Sequence, residues 1–261
     1  MSKNSLVAEL KDAYNKSREI FTDARNKNNN LSDINSLNQN QHIAHGLAWY
    51  ATYVESLLQL SKWIEYLETN NRLTDLEEGI AGVGAGEYCL QIMHGIPMSQ
   101  NETIRPDELG IPSEKIEEFK KITKSLIQRS TSFEKNRVMS ILQQSIESGI
   151  QPDDGLDETY QEIKNQFKRF VDDEITPNAH EWHMNDDYIP LEIIKKMSEL
   201  GVFGLTIPEE YGGLGLEKKA MCIVSEELSR GWVGVGSLGT RSEIAAELIL
   251  IGGTEEQKQK Y

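Results

Sequence analysis

The 261-residue sequence reads as an all-α protein. Apolar residues recur at steps of three and four along most of its length, and alternation with period two is nearly absent. Gly, Pro and Asn punctuate the breaks between these periodic stretches. Hydrophobic residues make up 38% and charged residues 26%, enough to build a core and too patterned for a disordered chain. The length suits one large domain or two ordinary ones.

A first helix is expected near Ser5–Asn26, followed by a loop in which Asn26, Asn28, Asn29, Asn30, Asn35, Asn38 and Asn40 crowd together. From His42 to Glu68, Ile43, Leu47, Tyr50, Val54, Leu57, Ser61 and Ile64 form one stripe. Trp49, Tyr53, Leu60 and Trp63 form a second beside it, and a helix apolar on two sides is buried between other helices. The next helix, Thr74 to Met93, contains Gly79, Gly82, Gly84 and Gly86. Each costs roughly 1 kcal/mol against Ala in an exposed helix interior. Their spacing is explained by the close approach of another helix. Residues 95–112 read as a long connection, with Gly95, Pro97, Pro106, Gly110 and Pro112. Ser113 is expected to cap a helix bearing Ile116, Phe119, Ile122 and Leu126. A further helix over Ser132–Ser148 is expected to turn Phe133, Ile141, Leu142 and Ile146 inward. The stretch from Gly149 to Gly155 ends it, and the domain boundary is placed there, between residues 1–150 and 151–261.

In the second half, Leu156, Tyr160, Ile163, Phe167, Phe170 and Val171 lie on one face of a helix that Pro177 should end. Pro190 opens a short helix closed by Gly201. Gly212, Gly213 and Gly215 break the next connection, Glu217–Arg230 is amphipathic, and Leu238–Ile251 forms an apolar helix. Thr254 with Gln257 is a capping-box signature for a last helix, barely two turns from Tyr261. The chain is therefore expected to stop inside a structural unit.

Forty-two acidic against 27 basic residues give a net charge of -15, which repels nucleic-acid phosphates and anionic membrane surfaces. No apolar run approaches the roughly 20 residues that span a bilayer. Met1–Leu10 has no leader-like apolar stretch, so a cytoplasmic protein is expected. Two distant cysteines, Cys89 and Cys222, make neither a disulfide framework nor a zinc site. His42 with His45 and His180 with His183 are spaced to share a helix face, but neither pair has a third ligand nearby, so no metal is assigned. Glu209-Glu210, Glu226-Glu227 and Glu255-Glu256 read as solvated surface charges, and Cys89 as a core residue. The glycines between Gly231 and Gly239 follow no strand and match no dinucleotide fingerprint. Arg241 stands at the start of an otherwise apolar helix, and an arginine against a buried surface needs an anion. That anion is either a protein carboxylate, Glu243 or Glu226, or the carboxylate of a substrate held by two hydrogen bonds.

Ile207-Pro208-Glu209-Glu210-Tyr211-Gly212-Gly213-Leu214-Gly215 resembles a turn in the N-terminal helical domain of acyl-CoA dehydrogenases. So do Met197–Gly204, Glu226–Arg230 and Gly252–Lys258, four motifs in order over residues 156–261. Residues 1–150 then read as a helical N-terminal extension. His45–Glu55, Gly86-Glu87-Tyr88, Gly95–Gln100 and Ser237–Glu247 are similar to the (2S)-methylsuccinyl-CoA dehydrogenase subgroup. The resemblance implies a homo-oligomeric FAD enzyme with an N-terminal helical domain, a middle β-domain and a C-terminal helical bundle. It implies a glutamate that removes the α-proton of an acyl-CoA thioester while hydride passes from the β-carbon to the flavin. It also implies electron-transferring flavoprotein as partner. In the subgroup, the ethylmalonyl-CoA pathway step from (2S)-methylsuccinyl-CoA to mesaconyl-CoA is expected. The family's catalytic glutamate has no matching position in this sequence, and most flavin contacts are expected outside it, so this chain alone is expected to be inactive. The helix Leu238–Ile251 matches one that lines the acyl pocket, which makes Arg241 the expected anchor of a second substrate carboxylate, with Thr240 and Ser242 as neighbouring donors. The alternatives are a dehydrogenase for another short-chain acyl-CoA and a non-catalytic helical module that packs on a partner.

Overall fold

A computed structural model describes residues 5–261; the part of the leader reading that rests on Met1–Asn4 lies outside them. The described residues are helical almost throughout, and they form two compact units, one ending at Gly155 and one spanning Leu156–Tyr261.

In the first unit, α1 (Leu6–Lys27) is capped by the Ser5 hydroxyl, which accepts from Ala8. The Asn-rich stretch is more ordered than a loop. It forms a 3-10 turn, Asn29–Ser32, and α2 (Ile34–Gln39), because its side chains satisfy helix ends. Asn28 donates to the carbonyls of Ala24 and Leu109 at 2.8 and 3.2 Å, and Asn40 donates to that of Ser36 at 2.8 Å. The long α3 (Gln41–Thr69) lies along α1, burying Tyr50, Leu57 and Ile64 against Leu10 and Ile20.

Next comes α4 (Asp75–His94), opened by a capping box between Thr74 and Glu77. Its glycines are contact points. A Cβ on Gly79 would sit 2.6 Å from Val138, and one on Gly86 would sit 2.5 Å from the Leu126 carbonyl oxygen. Gly84 is different, since its nearest neighbour is Leu60 at 4.0 Å.

Residues 95–112 contain an antiparallel pair, β1 (Ile96–Pro97) and β2 (Thr103–Ile104), too short to show a period in sequence. The helix expected to begin under a Ser113 cap is in fact two, α5 (Ser113–Ile122) and α6 (Lys124–Arg129), and Ser113 is its first residue, not its cap. The break falls at buried Thr123, whose hydroxyl donates back to the Phe119 carbonyl. In α7 (Ser132–Glu147) the inward residue is Val138, while Phe133 and Ile146 are exposed. This helix meets α4 through Val138 and Gly79 and through the Lys135–Glu87 ion pair; Ile141 and Leu142 are half-buried, and Met139 is exposed.

In the second unit Pro177 does not end the helix. Between α8 (Glu158–Phe170) and α9 (Thr176–Met184) the backbone opens into a π-helical turn, Val171–Ile175. The Thr176 amide reaches five residues back to the Val171 carbonyl, which makes room for a proline that has no amide to give. Val171 and Ile175 of this turn are fully buried. They pack with Met197 of α10 (Leu191–Glu199) and with Val224 and Leu228 of α11 (Lys218–Gly231). The apolar helix α12 (Val233–Gly252) begins earlier than the sequence suggests, since the glycine-rich stretch is part of it. Gly236 presses on Ser229 of α11, and Gly239 on Val202. The last helix, α13 (Glu255–Lys260), carries the expected capping box. Among the described residues, no helix is long and apolar enough to cross a membrane.

Candidate functional site

The connection between α10 and α11 is closed on itself by its own backbone. Gly201 takes the left-handed conformation after α10, and Gly212 does so again after the 3-10 turn Glu209–Tyr211. The amides of Leu214, Gly215 and Leu216 donate to the carbonyls of Gly204, Ile207 and Leu205, each at 2.8 Å. A side chain on Gly213 would overlap the Ile207 backbone. The glycines of this motif are thus fixed by the turn they make, not by a ligand.

This turn is fastened to α12 by a polar cluster. The Thr206 hydroxyl donates to the Glu243 carboxylate, and Lys218, the first residue of α11, contacts both Glu243 and Glu247. Lys218 also lies 3.3 Å from the Thr206 hydroxyl. Partial burial opposes the charge on Lys218, but the two carboxylates outweigh it and hold the ammonium above its ordinary range. Beside this cluster lies an open cleft lined by Pro208, Tyr211, Ala246 and Leu250.

The structure separates the three residues expected to meet a ligand. Thr240, Arg241 and Ser242 are consecutive on α12, so their side chains point about 100° apart. Half-buried Thr240 spends its hydroxyl on the Ser237 carbonyl at 3.0 Å. Ser242 is half-buried, and Arg241 is exposed and lies well inside the helix. Among the described residues Arg241 forms no hydrogen bond or salt bridge, and neither expected carboxylate is its partner. Glu243 is taken by Lys218 and Thr206, and Glu226 is exposed. Arg241 heads a stripe on which Ile244, Leu248 and Ile251 are 61%, 69% and 82% exposed. Glu243 lies about 160° and Glu247 about 120° around the helix from Arg241.

The remaining candidates are absorbed by the fold. Glu227 is buried, contrary to the reading of its pair as solvated; it accepts from Arg230 Nε at 2.8 Å. Arg230 also reaches Asp172 in the π-helical turn, and chiefly the Glu227 bond raises its pKa. His45 accepts from the Trp49 indole at 2.9 Å, and His42 lies 3.5 Å from Glu108. His180 and His183 are exposed, and no group of three or more metal-ligating side chains converges among the described residues. Cys89 is buried in the core, and burial pushes its thiol up to about 12.

Residues 157–261 match the family model described as the acyl-CoA dehydrogenase N-terminal domain. The chain belongs to the acyl-CoA dehydrogenase family. It is 48% identical over 231 residues to a (2S)-methylsuccinyl-CoA dehydrogenase of Cereibacter sphaeroides, which covers 87% of this chain and 41% of that relative. Mitochondrial isovaleryl-CoA dehydrogenase of Solanum tuberosum is 37% identical over 108 residues, 40% of this chain and 26% of the relative. A 3-(aryl)acrylate reductase of Clostridium sporogenes is 37% identical over 106 residues, 40% of this chain and 28% of the relative. The chain therefore spans well under half the length of these relatives. The likeness to the Cereibacter sphaeroides enzyme is more than twice as long as the match to the acyl-CoA dehydrogenase domain, so it extends into the first unit.

Sequence reasoning missed Lys218, Thr206 and Glu247. Lys218 stands between Glu217 and Lys219 and reads as a surface charge. The available signal was the spacing of Glu243 and Glu247, four apart on an otherwise apolar helix, which asks for a shared cation.

Proposed function

We propose that this chain is the N-terminal part of a flavin-dependent acyl-CoA dehydrogenase that oxidises a short, branched, dicarboxylic acyl-CoA, namely (2S)-methylsuccinyl-CoA to mesaconyl-CoA. The reading is carried by the likeness to the Cereibacter sphaeroides (2S)-methylsuccinyl-CoA dehydrogenase, which runs through both units instead of the shared domain alone. The extension over 1–150, the cytoplasmic location, the homo-oligomer and electron-transferring flavoprotein as acceptor belong to the same proposal.

The residues present do not make an FAD site by themselves. The glycines from Gly231 to Gly239 are packed inside helices against Val171, Ser229 and Val202, so their amides form no phosphate cradle. The flavin, which accepts hydride in this family, is assigned to parts of the enzyme outside this chain, as is the catalytic base. What these residues supply is a wall for the acyl group. On α12, Arg241 offers a planar guanidinium with no anion on it among the described residues, and Ile244, Leu248 and Ile251 continue from it as apolar surface for about 15 Å. A dicarboxylic acyl chain presents both chemistries, a far carboxylate and a hydrocarbon body. Thr240 and Ser242 are secondary donors in this reading. Thr240 must give up its bond to Ser237 to act as one.

The test is kinetic, in the holoenzyme that contains this chain. Arg241→Gln and Arg241→Lys should raise KM for methylsuccinyl-CoA roughly tenfold or more, the scale of a lost charge-assisted bidentate contact, and leave butyryl-CoA nearly unchanged. Equal effects on the two thioesters would remove Arg241 from the site.

A further inference from the structure

On α12, Arg241 is exposed along with Ile244, Leu248 and Ile251, while Glu243 lies about 160° and Glu247 about 120° around the helix from Arg241; the two carboxylates are four residues apart and therefore together. Lys218 contacts both carboxylates from the start of α11. The Glu243 side chain is only 11% exposed, and it also accepts from Thr206. Arg241, two residues from Glu243, has no anion among the described residues. One lysine thus balances the two carboxylates nearest to the unpartnered guanidinium along the helix.

We infer that Lys218 is a positioning residue for substrate specificity: by holding Glu243 and Glu247 it keeps the Arg241 face of α12 electropositive toward the second carboxylate of a dicarboxylic acyl thioester. The inference rests on the reading of Arg241 as the anchor of that carboxylate. Without Lys218, two uncompensated negative charges would stand on the same helix as the anchor, on the order of 10 Å from it given a helix about 10–12 Å wide. At the effective dielectric of a partly exposed protein site, an uncompensated charge at that distance changes binding of a unit anion by about three- to tenfold. A monocarboxylic thioester has no charge at this point and escapes the effect.

The experiment compares KM for methylsuccinyl-CoA and butyryl-CoA in the holoenzyme with Lys218→Met, Lys218→Arg and the pair Glu243→Gln/Glu247→Gln. Lys218→Met should raise KM for methylsuccinyl-CoA about three- to tenfold, with butyryl-CoA unchanged, and the difference should shrink as salt is raised. Lys218→Arg keeps the charge and should behave as the parent. The Gln pair, with Lys218 intact, should lower KM for methylsuccinyl-CoA selectively; it decides the matter if Lys218→Met does not fold. Equal changes for both thioesters, or none, would make Lys218 a fastening for the turn alone and overturn the inference. Arg241→Gln in the same assay separates the two failures. If it does not discriminate between the thioesters, the anchor reading is wrong. If it does and the Lys218 and Gln variants do not, only the role of Lys218 falls.

Discussion

Arg72 grips Asp153 with two parallel hydrogen bonds, Nε to Oδ2 at 2.7 Å and Nη2 to Oδ1 at 2.6 Å. The segment that leads out of the first unit is therefore latched to it. The Asp153 amide donates to Glu77 at 2.9 Å, its carbonyl accepts from the Trp63 indole at 3.0 Å, and its carboxylate accepts from the Gly155 amide at 2.9 Å. Burial works to raise the pKa of Asp153, but Arg72 and the Gly155 amide prevail and hold it below its ordinary 3.8. Glu77 behaves alike: burial opposes its charge, while Thr74 and the Asp153 amide hold it below its ordinary 4.5. Both carboxylates are thus more acidic folded than unfolded. Their contribution is complete above the unfolded values and is lost as pH falls through 4.5 and 3.8 toward the folded ones. Asp153→Asn should cost roughly 1–3 kcal/mol at pH 7, as expected for a charged pair with further bonds. The cost should shrink toward pH 3. Denaturant unfolding of the 261-residue chain at both pH values checks this; a cost that does not change with pH would mean that the latch works without its charge.

Two glycines two residues apart on α4, Gly84 and Gly86, should respond to the same substitution with opposite sign. A Cβ on Gly86 would lie 2.5 Å from the Leu126 carbonyl oxygen and 2.7 Å from Ser130 Cβ, both on the α6 side of the unit. Backbone cannot give way cheaply, so Gly86→Ala should destabilise by about 1–3 kcal/mol or more. Gly84 has only Leu60 at 4.0 Å, ordinary van der Waals contact, and its backbone is helical. There the substitution removes unfolded-chain freedom and adds helix propensity, so Gly84→Ala should stabilise by roughly 0.5–1 kcal/mol. Thermal melts of the two variants beside the parent decide it.

The contrast between these glycines shows what was legible in the sequence. Spacing placed α4 and announced close approach, but it could not tell Gly84 from Gly86, because the difference lies in which helix crosses at each level. The same holds for α7, whose apolar residues were visible while the choice of Val138 as the buried one was not. Pro177 misled for another reason. A proline forbids one hydrogen bond, and a π-helical turn supplies a way round it that local pattern does not reveal. At the candidate site the arginine was legible as an unusual charge in an apolar helix. Its exposure, and the capture of Glu243 by a lysine 25 residues away, depend on how α11 and the Ile207–Gly215 turn return to α12.

Tyr50 and Tyr53 lie one turn apart on α3 and should separate in the same manner under Tyr→Phe. Tyr50 is 1% exposed, stacks on Phe21 with ring centroids 5.9 Å apart, and its hydroxyl is a buried polar group with no hydrogen-bond partner among the described residues. Burial drives its pKa upward, so the group stays neutral and contributes only the penalty of leaving water. Tyr50→Phe keeps the ring and the stack and removes the unmet donor. Stability should be unchanged or raised by up to about 1 kcal/mol. Tyr53 instead donates to Gln91 on α4, and its ring meets Tyr88 at 4.9 Å. Tyr53→Phe leaves the Gln91 carbonyl short of a donor and should cost about 1 kcal/mol. Urea unfolding of the two variants gives the comparison directly. If Tyr50→Phe lowers stability as much as Tyr53→Phe, the Tyr50 hydroxyl must have a partner in solution, an ordered water being the simplest.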